Sequence, residues 1–254
     1  MSYLELQKTV IYGPIASRRL GPSLGINVSP TVAKICSFDC IYCQYGPTTY
    51  HVPSSRGFNH MLPPAAEIAG ALRDALGSIP APNYVTFSGN GEPTLHPEFP
   101  ATVEAVRAVR DELCPTAKLA ALSNSSTVDR PEIRAALASL DAPIMKLDAG
   151  SAELFAAVNV PAAGVSFDAI LEGLAALDNF TVQSCFVAGD AGNADDGAVA
   201  DYVSAVAAVK PSAVQVYTTD RPVARPGVQM VPRERLAAIA RRVCEEAGVP
   251  AEIY

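Results

Sequence analysis

No run of about 18 consecutive apolar residues occurs in this 254-residue chain, although 49% of it is apolar and only 18% is charged, so no transmembrane helix is expected. The first residues, MSYLELQKTVIYGP, lack the basic start, apolar run and small-residue cleavage site of a signal peptide. A cytoplasmic location with reduced thiols is the expectation. No block of lysine or arginine offers a long phosphate-binding stripe, and the formal net charge is -7. That weighs against strong nonspecific nucleic-acid binding, while leaving room for a local basic patch. No internal repeat, low-complexity tract or interdomain linker interrupts the chain, and only 188–197 (AGDAGNADDG) reads as a flexible loop. One domain over 1–254 is expected, with an N-terminal extension at 1–22, a core at 23–218 and a C-terminal helix and tail at 219–254.

What is present is an alternation of apolar runs, bounded by turn residues, with helical patterns between them. The runs predict strands at 23–28, 83–88, 117–123, 143–148, 180–187 and 212–218. Helices are expected at 64–78, 100–113, 131–140, 166–177, 197–209 and 232–247, several opening on proline. This pattern specifies parallel strands joined by crossover helices, with ligands at the carboxyl ends of the strands. Six strands are too few for a complete barrel of eight. The expected fold class is α/β, a partial (β/α)6 TIM-like barrel open on one side.

Three of the six cysteines crowd into Cys36-Ser37-Phe38-Asp39-Cys40-Ile41-Tyr42-Cys43, while Cys114, Cys185 and Cys244 stand alone. The isolated three read as small packed residues, with Cys185 notable for lying in a predicted strand. In the cluster, gaps of three and two residues let one curled loop aim three sulfurs at one point, which suits an iron-sulfur cluster or zinc. A closed zinc site needs four ligands, and neither His51 nor His60 gives a familiar finger spacing after Cys43. A cubane on three cysteines leaves one iron open to a substrate.

This CxxxCxxC pattern, with Tyr42 before the last cysteine and a predicted strand upstream, resembles the signature of the radical S-adenosylmethionine (SAM) superfamily. The resemblance implies one 4Fe-4S cluster on Cys36, Cys40 and Cys43, SAM bound to the open iron, and its reductive cleavage to methionine and a 5'-deoxyadenosyl radical. Backbone around Tyr42 is then expected to contact adenine. The segment Ser88-Gly89-Asn90-Gly91-Glu92-Pro93 is similar to the family's GGEP element, which binds the SAM amino group. Read alone, it is a tight turn carrying one acid. Ser123-Asn124 resembles the Thr-Asn-Gly of many relatives, and Lys146-Leu147-Asp148 ends the next predicted strand. Alternation puts Lys146 and Asp148 on one face, either to bind ribose and the methionine carboxylate or to form a structural ion pair. Gln183 and the segment Thr218-Thr219-Asp220-Arg221 are further candidates for adenosine or substrate. Arg18 and Arg19 could pair with Glu92, clamp an anionic substrate group, or form an exposed basic turn. His96 could relay a proton or flank the following helix.

The longer pattern, from Tyr12-Gly13-Pro14 through Ser17-Arg18-Arg19-Leu20-Gly21 to GNGEPTLHPEF, KLDA and the 217–222 segment, resembles standalone Fe-S oxidoreductases loosely related to the wyosine-forming tRNA enzymes. Those tRNA enzymes carry a second cluster on upstream cysteines. No cysteine precedes Cys36, so a single cluster is expected. The leading expectation is hydrogen abstraction from an unidentified substrate, with an electron donor such as flavodoxin or ferredoxin. An RNA-modifying enzyme is the second reading and would draw on Lys34, Arg56, Arg18 and Arg221. A zinc-binding interaction module is the third.

Overall fold

The computed structural model describes residues 3–254. Eight strands form one sheet in sequential order: β1 Ile11–Ser17, β2 Gly21–Asn27, β3 Tyr84–Ser88, β4 Lys118–Ser123, β5 Ala142–Lys146, β6 Thr181–Cys185, β7 Ala213–Tyr217 and β8 Ala251–Ile253. The β1–β2 pair is antiparallel, and every other pairing is parallel. Seven helices connect them: α1 Ala65–Leu76, α2 Phe99–Leu113, α3 Pro131–Ala138, α4 Ala152–Val158, α5 Phe167–Ala175, α6 Asp196–Val209 and α7 Arg233–Arg242. Because β1 and β8 are the two edges and do not pair, the sheet is a partial barrel with one open seam.

The period-two pattern of each strand separates two environments. Leu24, Ile26, Val85, Phe87, Leu119, Ala121, Val182, Val214 and Val216 join one apolar core against the helices. Their neighbours in sequence, Ser23, Gly25, Thr86, Ser88, Gln183 and Tyr217, line cavities within the barrel, as does Lys146 next to the buried Met145. The helices meet this core with apolar residues three and four apart; α2, for example, buries Phe99, Thr102, Val103, Val106, Val109 and Arg110. Arg110 also bonds the Ala117 carbonyl at 2.6 Å and Asp141 at 3.1 Å, and Asp141 in turn accepts the Leu119 amide. This triangle fixes where β4 and β5 begin.

All six predicted strands are present, and the structure adds an edge on each side. Residues 1–22 are not a mere extension: β1 lies within them, although Gly13-Pro14 interrupts its apolar pattern, as an edge strand tolerates. The expected tail contributes β8. The strand predicted at 180–187 stops at Cys185: the Phe186 amide makes the last ladder bond, to the Tyr217 carbonyl, and Val187–Ala188 then pairs separately with Gln229–Met230. The strand predicted to reach 148 ends at Lys146, and α4 was absent from the predicted helices.

Phe87 is fully buried and meets Phe99 edge-on, with ring centroids 5.5 Å apart. Phe87→Ala is expected to cost about 3–5 kcal/mol of unfolding free energy, read from urea denaturation.

Candidate functional site

Three backbone pairings hold the cysteine loop. Ile35–Cys36 pairs in parallel with Tyr50–His51; the Ile41 amide donates to the Val158 carbonyl at the end of α4; and the Asp39 amide reaches the Asn159 and Val160 carbonyls. So placed, Cys36, Cys40 and Cys43 line a cavity of about 730 Å3, counted out to its mouth, at the carboxyl ends of the parallel strands. Among the described residues, no three His, Cys, Asp or Glu side chains converge as the ligands of a single metal ion. The sulfurs face a shared space instead.

Burial pushes the Cys36 thiol up and the Cys40 thiol to about 11, so a bound metal centre would have to supply the positive charge that holds them as thiolates. Lys34 supplies one such charge. Its Nζ donates to Cys43 Sγ at 3.0 Å and to the Gly46 carbonyl at 2.9 Å. Burial lowers the Lys34 pKa, but the surrounding cysteines outweigh it and hold the group above its ordinary value. At 3% exposure Lys34 cannot serve the surface role that the RNA reading required.

The glycine-rich turn after β3 docks on the cysteine loop. The Ile35 amide donates to the Asn90 carbonyl at 3.2 Å, and the Glu92 amide donates to the Ile35 carbonyl at 3.0 Å. Gly91, at φ +127°, sits so close that a Cβ there would lie 1.8 Å from the Ile35 oxygen. Only glycine permits this approach. It brings Glu92 into the cavity, where Oε1 accepts from the Thr94 amide (3.0 Å), the Thr94 hydroxyl (2.7 Å) and the Ser123 hydroxyl (3.0 Å), and Oε2 accepts the Asn124 amide at 2.5 Å. These are four neutral donors. Burial still raises the Glu92 pKa, so the folded chain holds this proton more tightly than the unfolded chain does. Stability accordingly falls as pH rises from the ordinary carboxylate range through the raised value. A cation beside Glu92 would oppose that shift.

Asn90 and Pro93, expected to bind cofactor, do not line this cavity. The Asn90 side chain accepts the Gln7 amide and donates to the Gln7 and Pro30 carbonyls, while its own amide is received by Asn27. It fastens the turn from behind. Pro93 is buried at the start of a short 3-10 helix.

Gly89, Ser123, Asn124, Lys146 and Gln183 do line the cavity, with Tyr42, Phe38, Tyr45, Leu122, Ile144 and Tyr217. Asn124 Nδ2 donates to Ser37 Oγ at 2.9 Å and approaches Cys36 Sγ at 3.5 Å. The Gln183 amide donates to Gln215 Oε1 at 3.0 Å.

Asp148 corrects the alternation argument. Because β5 ends at Lys146, Asp148 turns away from the main cavity and becomes a buried hub. Its Oδ2 accepts from the Tyr42 hydroxyl and from Asn159 Nδ2 at 2.7 Å; its Oδ1 accepts the Cys185 amide at 2.7 Å and lies 3.5 Å from Lys146 Nζ. Asp148 and Lys146 thus form the ion pair, while Lys146 still lines the main cavity. Burial lowers the Lys146 pKa, but Asp148, followed by Tyr217 and Cys185, outweighs it and keeps Lys146 charged. Lys146 also donates to the Tyr217 hydroxyl at 2.6 Å. Sequence reasoning missed Asn159, which also donates to the Tyr42 hydroxyl at 3.2 Å, because it follows the unpredicted α4.

Arg18 does not reach Glu92: it pairs with Asp220 at 3.0 Å, and Arg221 lies 3.9 Å from the same carboxylate. Arg19 lies over the Tyr217 ring, 4.7 Å from its centroid. His96 is buried, accepts the Glu98 amide at Nδ1 and contacts the Pro63 carbonyl through Nε2, so it braces the start of α2.

Residues 31–189 match the family model described as the radical SAM superfamily, and the chain belongs to that superfamily. A UPF0026 protein of Methanocaldococcus jannaschii is 34% identical over 175 residues, which are 68% of this chain and 51% of that protein. A protein named GTPase Obg from Brachyspira hyodysenteriae is 32% identical over 170 residues, 67% of this chain and 23% of that protein. The chain thus spans about half the length of the first of these relatives and less of the second. Among solved structures, a radical SAM methyltransferase from Sphaerobacter thermophilus superposes with a TM-score of 0.64 at 16% identity, covering 91% of this chain and 65% of that one. TYW1 with a lysine-pyruvate adduct bound gives 0.59 at 14% identity, covering 88% and 73%. At these identities the two structures share the fold alone.

Asp148→Ala is expected to cost about 3–5 kcal/mol in chemical denaturation, because it strands the Lys146 charge and unties Tyr42 and Cys185. The pair Asp148→Ala with Lys146→Met should recover part of that loss.

Proposed function

We propose that Cys36, Cys40 and Cys43 hold one 4Fe-4S cluster, that the same cavity binds SAM, and that the enzyme abstracts hydrogen from a substrate in the adjoining part of the barrel. The observation that carries this reading is a single cavity lined by three thiols, a buried carboxylate and two ammonium groups. When bound, the cluster supplies the electron that cleaves SAM to methionine and a 5'-deoxyadenosyl radical.

The chain's own residues bind, orient and shield. Glu92, fixed by four donors and without a cationic partner among the described residues, is matched to the amino group of SAM. Lys146, kept charged by Asp148, offers its ammonium to an anionic or hydroxyl group of the same ligand. Leu122 and Ile144 give an apolar wall, and the carbonyl oxygen of Gln183 remains for a donor on the adenosine. Lys34 and the Asn124 and Asn159 amides stand 3.0–3.5 Å from the three sulfurs, where they compensate thiolate charge.

Anaerobic reconstitution followed by reduction should yield 5'-deoxyadenosine from SAM. The Cys36→Ala/Cys40→Ala/Cys43→Ala variant is expected to give none above background, and equal product from both proteins would refute the assignment. Glu92→Gln is expected to weaken SAM binding about tenfold or more, read by equilibrium dialysis, with iron and sulfide content unchanged.

A further inference from the structure

A second cleft of about 1530 Å3, counted out to its open mouth, adjoins the cysteine cavity, and Tyr45, Leu122 and Tyr217 line both. Arg19, in the turn between β1 and β2, reaches across the open seam of the barrel into this cleft. Its guanidinium lies 4.7 Å from the Tyr217 ring centroid and 5.7 Å from that of Tyr254, which follows β8. Two aromatic rings thereby fix the guanidinium.

The electrostatics around Arg19 are incomplete. Arg18 has Asp220 at 3.0 Å and Lys146 has Asp148 at 3.5 Å, whereas Arg19 makes no ion pair among the described residues. Its Nη1 is the one buried side-chain nitrogen or oxygen among them that lacks a hydrogen-bond partner. A buried donor on a cation is costly to leave unpaired. Lys146 stands 4.8 Å from the same Tyr217 centroid, so two cations flank one ring and only one of them has a counter-charge.

We propose that this cleft binds a small anionic substrate and that Arg19 anchors its carboxylate or phosphate group. The proposal rests on the radical chemistry above, since the shared wall at Tyr45, Leu122 and Tyr217 sets the substrate beside bound SAM. A fork-shaped guanidinium can donate two parallel N–H bonds to two oxygens of one anion. The cleft floor suits a polar body attached to that anion: Ser23 and Thr86 hydroxyls lie 2.8 Å apart, and the Tyr12 and Ser88 hydroxyls 2.5 Å apart. Arg19 is on this account the residue that selects the charge class of the substrate and positions it for hydrogen abstraction.

The test titrates 15N-labelled, anaerobically reconstituted protein with inorganic phosphate and, separately, with malonate at constant ionic strength, following arginine Nε–Hε resonances and the backbone amides of residues lining the cleft. One signal, identified by its loss in Arg19→Lys, should shift saturably. Affinity should fall about tenfold or more in Arg19→Gln and stay within about twofold in Arg18→Gln. Response to phosphate alone assigns a phosphate-bearing substrate, and response to malonate alone a carboxylate. No saturable shift with either anion, affinity in Arg19→Gln equal to that of the unmutated protein, or binding only of a short RNA duplex would overturn the proposal. Iron, sulfide and SAM binding are measured on the same unmutated sample. Their absence contradicts the radical SAM reading independently, because the anion titration does not depend on them.

Discussion

The site depends on one backbone contact, the seating of Gly91 and Glu92 against the carbonyl of Ile35. Ile35 immediately precedes the first cysteine of the loop, and Glu92 is the cavity's buried carboxylate. A two-residue pairing therefore sets the distance between the thiols and the acid. Any side chain at position 91 would collide with the Ile35 oxygen and push the two walls apart. Asn90 secures the same contact from behind through Gln7, Asn27 and Pro30.

The opposite wall is held by charge rather than backbone. Asp148 ties Tyr42 of the cysteine loop, Asn159 after α4, the backbone of β6 and Lys146 of β5 to one carboxylate. A buried charge of this kind is costly unless each oxygen is satisfied, and here each accepts at least one good hydrogen bond. The result is that Lys146 keeps its proton and its position in the cavity. Packing of the helices on the outer face of the sheet leaves the inner face free for polar side chains, and the open seam admits Arg19 to it.

How much of this was legible in the sequence follows from the range of each interaction. The cysteines could be read directly, because their grouping is a property of eight consecutive residues. Glu92 and Lys146 were reachable from their places at strand ends. Asn90 was not: nothing local reveals that its side chain is drawn back by Gln7 and Pro30. Asp148 was misplaced because alternation was extended two residues beyond the end of β5. The edge strand β1 hid behind Gly13-Pro14, and Asn159 behind the seven-residue helix α4. The stacking of Arg19 joins residues 19, 217 and 254, and only the folded chain brings them together.

The central claim is that the three thiols hold a SAM-binding iron-sulfur cluster, and its most direct measurement is metal and sulfide analysis with electron paramagnetic resonance of the anaerobically purified, reduced protein. The account predicts about four irons and four sulfides per chain and a reduced-cluster signal that shifts when SAM is added. Stoichiometric zinc without iron or sulfide, or a cluster signal indifferent to SAM, would contradict it.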